Sequence, residues 1–416
     1  MAEWKRVKIG DVCNIEKGVT GIAKALPGNY PLVTTGAERK TSIDYQFDTK
    51  AVCIPLVSST GHGKKTLNYV HYQEGKFALG SILSAVVPRD ETILDARYLH
   101  VYLQKNKDRV LVPLMKGAAN VSLSVTAISN IEVPLPSLVE QKKILGKIDS
   151  ISNEHEDFLN ESDIQIDLFG KLRQSVLQEA IEGKLTAEWR KQNPELISGE
   201  NHASKLLEKI KAEKERLVKE GKINKGKPLS PIADDEKPFD LQEGWVWCRL
   251  GELLRISSGD GLTSKEMAKG GAYPVFGGNG INGYHDKFNV SKPTIVIGRV
   301  GALCGAVHIT PEKAWVTDNA FITYYSEHLL CGNWFPKLLM ALNLRNRARE
   351  TAQPVISGKR VYPIVIALPS SSEQRAIVQA IEKLMSMIDS LEKQVTDRKE
   401  QAEKLMQSVL REAFTR

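Results

Sequence analysis

One segment of this chain occurs twice. Residues 134–181 align with residues 367–414 at a constant offset of 233 positions, without a gap, and 15 of the 48 aligned positions are identical. Both copies contain Leu-Pro-Ser near the start, Glu-Gln shortly after it and Gln-Ser-Val-Leu near the end. Solenoid repeats have periods of about 20–50 residues. The larger offset therefore indicates two copies of a whole module.

Each copy has the pattern of one long helix. Ser137 and Ser370 follow a proline and are N-cap candidates, and Glu140 and Glu373 stand three residues later in the position of a capping box. Neither copy has a proline beyond that start. At about 1.5 Å per residue, each helix would be about 70 Å long. We expect a helix of this length to pack against a partner rather than form a domain by itself.

The apolar residues of both copies follow the alternating steps of four and three that are typical of a coiled-coil seam. The predicted seam of the second copy is Ile377, Ile381, Leu384, Ile388, Leu391, Val395, Ala402, Leu405 and Val409. The predicted seam of the first copy is Ile144, Ile148, Ile151, Phe158, Phe169, Leu172 and Val176, interrupted by His155, Ser162 and Gln165. We therefore expect the two helices to form an antiparallel intramolecular coiled coil with pseudo-two-fold symmetry.

Two globular segments occupy the intervals. Residues 1–133 contain short β-rich runs separated by turn signals, with one helix predicted near residues 96–107. Residues 241–366 repeat this segment loosely, and residues 123–133 align with residues 356–366 at the same offset of 233. The expected fold is α+β. Its predicted segments are an α/β domain at 1–133, a long helix at 134–189, a lysine-rich helix and linker at 190–240, an α/β domain at 241–366 and a long helix at 367–416.

The net charge of +7 is unevenly distributed. Each globular segment carries +5, whereas residues 134–183 carry −5, residues 184–240 carry +2 and residues 367–416 are neutral. Two basic domains on a neutral-to-acidic spacer favour a nucleic-acid partner. The lysine-rich helix from Ala203 to Glu220 is interpreted as a solvated face.

Other classes of function lack their motifs. Gly278–Gly283 fits GxGxxG, but a dinucleotide fingerprint must open a helix, and Pro293 follows closely here, so we interpret the motif as a polar loop. The eight histidines and five cysteines do not have metal-ligand spacing, and no GxxxxGK[ST] loop is present. No apolar run of about 18 residues and no signal-peptide pattern occur, which predicts a cytoplasmic protein without a membrane partner. We expect no catalytic, cofactor-binding or metal site in this chain.

Polar and basic side chains in glycine-containing loops are the candidate contacts to double-stranded DNA. Arg can bind guanine with two hydrogen bonds, Asn and Gln can bind adenine, and Lys binds phosphate. The candidates are Lys64, Lys65, Lys116, Asn120, Ser122, Asn279, Arg299, Gln353, Ser357, Lys359 and Arg360. The alternative for each loop is an ordinary solvated turn.

Taken together, these motifs resemble the DNA-specificity subunits of type I restriction-modification systems. In that family a domain ends in a strand followed by PLP…EQ, as at residues 134–141 and 368–374, and the helix closes with GKLT…WR, as at residues 183–190. The second domain opens as at residues 243–252 and carries TIVIGRVG, as at residues 294–301. The second helix differs, because no GKLT…WR follows Phe414.

The resemblance implies a mechanism. Each target recognition domain would read one half of a gapped DNA target, and the helix pair would act as a ruler between the half-sites. Two methyltransferase (modification) subunits with S-adenosylmethionine, and restriction/translocase subunits with ATP and Mg, would supply the chemistry. Two alternatives stay open: a coiled-coil adaptor that does not recognise DNA, and a nucleotide-cofactor enzyme that uses the Gly278–Gly283 loop.

Overall fold

The computed structural model describes residues 4–60, 63–118, 120–267, 270–348 and 354–414. The chain divides into two compact units, Met1–Asp163 with Val395–Arg416, and Ile164–Gln394. Each unit contains one globular domain and one end of each long helix. Within the described ranges, no helix is long and apolar enough to cross a membrane.

The domain of the first unit is built from short strands and one central helix. Its elements are β1 (Arg6–Lys8), α1 (Ile9–Val12), β2 (Cys13–Lys17), β3 (Tyr30–Val33), β4 (Lys40–Ser42), β5 (Phe47–Asp48), β6 (Ala51–Pro55), β7 (His71–Gln73), β8 (Lys76–Leu79), β9 (Leu83–Pro88), α2 (Ala96–Val110), α3 (Val125–Ser129) and β10 (Glu132–Pro134). Helix α2, predicted for residues 96–107, begins at an N-cap where the Asp95 carboxylate accepts from two backbone amides.

Three sheets organise this domain. Strands β1 and β10 pair antiparallel, so the chain enters and leaves the domain side by side. The other sheets have the orders β2-β9-β6-β7 and β4-β3-β8-β5. Strand β6 is an inner strand of its sheet and is buried along its whole length. Helix α2 packs in the same core as β6. Ile144 and Ile148 of the first long helix and Phe414 complete this core.

The second unit repeats the arrangement. Its elements include α5 (Ala187–Gln192), α6 (Ala203–Lys219), β11 (Val246–Arg249), α7 (Leu250–Leu253), β12 (Leu254–Ser258), β13 (Tyr273–Gly277), β14 (Gly280–His285), β15 (Ile295–Gly298), β16 (Val307–Ile309), β17 (Trp315–Val316), β18 (Ala320–Tyr325), α8 (Trp334–Ala341), α9 (Gly358–Val361) and β19 (Val365–Leu368). Here β11 pairs with β19, and the larger sheets are β12-β18-β15-β16 and β14-β13-β17. These orders match those of the first domain strand for strand, except that the described residues of the second domain contain no equivalent of β5.

The two long helices are α4 (Leu138–Ile181) and α10 (Ser371–Glu412). As predicted, both begin at a serine cap: the Ser137 hydroxyl accepts from the Glu140 amide and the Ser370 hydroxyl accepts from the Glu373 amide. The capping-box role predicted for the Glu373 side chain is wrong. Its carboxylate accepts instead from Trp245 Nε1, at 2.7 Å, and is fully buried.

Two glutamines attach the starts of these helices to their own domains in the same way. The Gln141 side chain accepts from the Asp95 amide at 2.9 Å and donates to the Pro136 carbonyl at 2.9 Å. The Gln374 side chain accepts from the Cys331 amide at 2.9 Å and donates to the Pro369 carbonyl at 3.1 Å. Both glutamines are fully buried. The repeated Glu-Gln of the sequence therefore marks a repeated attachment of helix to domain.

Within each unit the two long helices run antiparallel. In the first unit Lys399 Nζ lies 2.6 Å from Asp163 Oδ1. In the second unit Arg173 Nη2 lies 2.6 Å from Asp389 Oδ1 and 2.7 Å from Glu392 Oε2. In the first unit, Ile144 and Ile148 also share a core with Leu410 and Phe414, and in the second unit Val176 and Ala180 share a core with Ile377 and Ile381. Within each unit, residue numbers therefore rise along α4 as they fall along α10, which confirms the antiparallel intramolecular pair.

Part of the predicted seam is wrong. Leu172, Leu391 and Leu405 are 45%, 46% and 65% exposed. The residues that follow Leu172 and Leu391 are Arg173 and Glu392, which pair with each other across the two helices. Met406, which follows Leu405, packs against the core of the first unit. Long charged side chains can cover apolar surface with their methylene groups while their charged ends pair. A seam prediction that accepts only apolar residues therefore places the neighbouring leucine in the seam. Seven of the other seam positions are buried as predicted: Ile144, Ile148, Val176, Ile377, Ile381, Ile388 and Val395. The remaining six are partly buried: Ile151, Phe158, Phe169, Leu384, Ala402 and Val409.

Candidate nucleic-acid interface

In the first domain the structure brings five predicted contacts together: Lys64, Lys65, Lys116, Asn120 and Ser122. Lys116 and Ser122 exchange backbone hydrogen bonds of 2.8 Å, and Ser122 also forms a bridge with Val57. All five predicted residues are exposed. They form one polar surface, which we call the first tip.

Tight backbone packing positions the lysines of the first tip. Gly63 has a φ of +76°, and a Cβ there would lie 2.5 Å from the carbonyl oxygen of Ala118. Only glycine permits this approach of the two loops. The Ser58 hydroxyl donates to the Lys64 carbonyl at 2.5 Å, and the Thr60 and Thr66 hydroxyls lie 2.7 Å apart. These contacts fix the loop backbone and leave the lysine side chains directed to solvent.

In the second domain, Asn279 and Arg299 form the corresponding surface, the second tip. A Cβ on Gly278 would lie 2.1 Å from the Val300 carbonyl oxygen, so the turn that carries Asn279 packs directly on the segment that carries Arg299. Arg299 Nη1 donates to Ser258 Oγ at 3.3 Å, and the guanidinium carbon lies 5.5 Å from the centre of the Phe321 ring. Asn279 is exposed and Arg299 is half-buried, so the Arg299 side chain is oriented by its neighbours but still reaches the surface.

The two tips are built on the same backbone hydrogen bonds. In the first domain, the Leu56 carbonyl accepts from the Leu123 amide at 2.8 Å, and the Ser58 amide donates to the Val121 carbonyl at 3.1 Å. In the second domain, the Arg299 carbonyl accepts from the Ile356 amide at 2.9 Å, and the Gly301 amide donates to the Pro354 carbonyl at 3.0 Å. Leu56 and Arg299 are therefore equivalent positions. One is a buried leucine and the other is a partly exposed cation.

The structure separates the remaining predicted contacts. Gln353 lies outside the described residues. Ser357 directly precedes α9, and Arg360 Nη1 donates to the Arg347 carbonyl at 2.8 Å, which holds the Arg360 side chain along that loop. Lys359 is exposed and lines a different surface, a cleft beside α6. Lys359 and Arg360 are adjacent in sequence, but their side chains therefore lie on two different surfaces.

The GxGxxG motif spans a hairpin turn and the first residues of β14. Strand β13 ends at Gly277 and pairs antiparallel with β14, which begins at Gly280. No helix opens at this motif, as a dinucleotide site would require. The loop predicted for Gly278–Gly283 is therefore confined to Gly278 and Asn279, because Gly280 to Gly283 belong to β14. Among the described residues, no group of three His, Cys, Asp or Glu side chains could hold a metal ion.

Arg255 is a basic residue near the second tip that the sequence analysis missed. It lies on β12, three residues before the Ser258 that contacts Arg299, and its guanidinium carbon lies 4.2 Å from the centre of the Tyr324 ring. Arg255 stands between apolar residues on β12, and neighbouring positions of a strand face opposite sides. This alternation could have identified Arg255 as a residue on the outer face of the sheet.

Comparisons with known proteins identify the family to which this architecture is similar. The family described as "Type I restriction modification DNA specificity domain" matches residues 1–167 and 242–401. The specificity subunit of the type I restriction enzyme EcoAI from Escherichia coli is 44% identical over 113 residues, which are 27% of this chain and 17% of that protein. The EcoDI specificity subunit, also from Escherichia coli, is 24% identical over 430 residues, covering 99% of this chain and 88% of that protein.

A solved structure has the same fold. The crystal structure of the HsdS subunit from Thermoanaerobacter tengcongensis superposes with a TM-score of 0.55 at 16% identity, covering 99% of this chain and 97% of that one. The family match includes both domains and the adjoining parts of both long helices. This chain therefore belongs to the family of type I restriction-modification DNA specificity proteins.

Proposed function

We propose that this chain is the DNA-recognition subunit of a type I restriction-modification complex, and that each domain reads one half of a gapped target. The observation that carries this proposal is the equivalence of Leu56 and Arg299. Equivalent backbone hydrogen bonds carry a buried leucine beside the first tip and a partly exposed arginine in the second tip. Two readers of different half-sites need this combination of a shared scaffold and divergent surfaces.

The two tips have chemistry suited to DNA. Arg299 can donate two hydrogen bonds to guanine, and Asn120 and Asn279 can each pair with adenine. Lys64, Lys65 and Lys116 are exposed cations that can contact phosphates and set the register of the first domain on the duplex. The net charge of +5 on each globular segment supports attraction to DNA.

The reaction chemistry is assigned to partner subunits. In this proposal the chain itself is not catalytic. Methyltransferase (modification) subunits bring S-adenosylmethionine, and restriction/translocase subunits bring ATP and Mg. Support comes from the relatives, which are named as specificity subunits of restriction enzymes. A cytoplasmic location is part of the same proposal.

Sequencing of DNA methylation tests the proposed function. The chain is expressed with its cognate methyltransferase subunit in a host that lacks restriction systems. We expect a new methylated motif with two specified parts and an unspecified gap. Expression of the methyltransferase subunit alone is the control and should give no new motif. A methylated motif that is the same with and without this chain would contradict the proposal.

A second measurement addresses the adaptor alternative. The purified chain is bound to a duplex over a range of salt concentrations. A DNA reader makes phosphate contacts, so its affinity should fall steeply as salt rises. A coiled-coil adaptor would not retain DNA at any salt concentration.

A further inference from the structure

A basic cleft of 890 Å³ lies in the second unit, between α6, the segment that follows it and the turn that carries Lys359. Four exposed lysines line it: Lys219, Lys225, Lys227 and Lys359. None of the four forms an ion pair with a carboxylate among the described residues. We call these residues the outer lysines. The composition of this region alone predicts a solvated helix and linker.

The inner cations of the cleft already have structural roles. Lys214 Nζ donates to the Gly251 carbonyl at 2.6 Å, and burial lowers the pKa of Lys214. Lys211 Nζ lies 2.7 Å from Glu252 Oε1. These contacts attach α6 to the domain. The outer lysines are therefore the cations of the cleft that are available to a ligand.

The segment after α6 is held in place, although its composition is that of a flexible linker. Arg249, 2% exposed, donates to the Ser230 carbonyl at 2.7 Å and to the Pro231 carbonyl at 2.9 Å. It also pairs with Glu236 at 2.8 Å, and this contact holds the pKa of Glu236 below its usual value. These contacts fix residues 230–236, and Lys225 and Lys227 lie just before this part of the chain. A lysine close to a fixed segment loses less conformational entropy when it binds a ligand.

The cleft and the second tip share strand β12. Strand β12 carries Arg255 in the cleft and, three residues later, Ser258, which accepts from Arg299. At about 3.3 Å per residue these two positions are about 10 Å apart. The Tyr362 hydroxyl accepts from the Ile256 amide at 3.2 Å, which ties the turn carrying Lys359 to the same strand. Because they are three residues apart, Arg255 and Ser258 face opposite sides of β12. A ligand must therefore extend around this strand to contact both surfaces.

We propose that this cleft binds the phosphate backbone of DNA beside the half-site read by the second domain. The proposal rests on the proposed function, because it extends the contact made by the second tip. An acidic protein segment would also match the charge. The spacing of about 10 Å along β12 between the cleft and the second tip favours DNA, because a duplex is long enough to extend from one surface to the other.

The test uses the full chain and a labelled duplex of about 30 base pairs. The variant K219Q/K225Q/K227Q is compared with the wild type by fluorescence anisotropy between about 50 and 300 mM salt. Each lost phosphate contact reduces the slope of log K against log salt by about 0.9. We expect a slope about 3 smaller in magnitude and an affinity lower by about 10-fold or more near 100 mM salt. The loss should be equal for target and scrambled duplexes, because phosphate contacts do not read bases.

The control K209Q/K383Q/K393Q removes the same charge from exposed lysines of the same unit that do not line the cleft. Its slope should equal that of the wild type. If both variants give wild-type slopes while the wild type binds DNA, the cleft proposal is overturned and the proposed function stands. If the wild type retains no DNA, both fail. If the first variant loses only its binding to the methyltransferase subunit, the cleft takes an acidic protein segment and the proposal is overturned.

Discussion

The guanidinium of Arg190 and the carboxylate of Glu373 form an ion pair that is closed to solvent. Arg190 Nη2 lies 3.0 Å from Glu373 Oε1, and the side chains are 7% and 0% exposed. Thr186 Oγ1 and Trp245 Nε1 also donate to this carboxylate, each at 2.7 Å. Burial raises the pKa of Glu373, and these donors oppose the shift by stabilising the charge. The cluster joins the start of α10 to the segment after α4 and to the entrance of the second domain.

Removal of the Glu373 carboxylate should therefore destabilise the chain. Glu373→Ala leaves the Arg190 charge buried without its partner, which costs about 3–5 kcal/mol. Urea unfolding measures the loss. Glu140→Ala is the matched control, because Glu140 has the equivalent position in the first copy but is only half-buried. We expect the control to cost less than about 1 kcal/mol. Equal losses in the two variants would contradict this account.

The corrected helix seam makes a second prediction. Ile388 is 3% exposed, whereas Leu391, although predicted for the same seam, is 46% exposed. Ile388→Asp puts a charge between the helices and should cost several kcal/mol, roughly 3 or more. Leu391→Asp should change the free energy of unfolding by about 0.5 kcal/mol or less. Thermal unfolding followed by circular dichroism measures the stability of both variants. A large loss of stability in Leu391→Asp would show that Leu391 belongs to the seam, as the sequence predicts.

A buried histidine in the first domain predicts a dependence on pH. His71 is 5% exposed and its Nδ1 lies 3.2 Å from Arg39 Nη1. Burial, followed by the charge of Arg39, lowers the pKa of His71 to about 4. The unfolded chain protonates this imidazole near pH 6.5, so acid favours the unfolded state.

Between pH 7 and pH 5 this difference should destabilise the fold by about 2 kcal/mol. His71→Gln should lose that part of the pH dependence, which unfolding at the two pH values measures. NMR titration gives the pKa directly. A His71 imidazole that titrates near pH 6.5 in the folded protein would contradict the prediction.

Arg299 makes a prediction about specificity. Arg299→Lys keeps the charge but loses the planar fork that can bind guanine with two hydrogen bonds. We expect a loss of about 1–3 kcal/mol in discrimination at one base pair of the second half-site, seen as a methylation motif that has become degenerate there. Lys292→Ala, at an exposed lysine of the same domain, should leave the motif unchanged. An unchanged motif in Arg299→Lys would show that Arg299 does not read a base.

The sequence predicts the fold well because its strongest signals are local or repeated. The offset of 233 residues identifies both long helices, and the serine caps mark their starts. The same signals cannot find Arg190, because its partner Glu373 lies 183 residues away and looks like an ordinary capping-box residue.

The candidate site is only partly predictable for the same reason. Glycines and basic residues identify the loops of both tips. The sequence cannot show that Lys359 and Arg360 serve different surfaces, because their directions depend on the short helix α9 and on the loop near Arg347. Nor can it show that Arg249 fixes the lysine-rich segment, because that contact joins parts of the chain whose composition indicates a linker.

The central claim is that each domain reads its own half-site. The most direct measurement exchanges residues 241–366 for the equivalent segment of a relative with a different target and sequences the methylated DNA of the host. The account predicts that one half of the motif changes to that of the relative, while the other half and the gap stay the same. A motif in which both halves change together would contradict it.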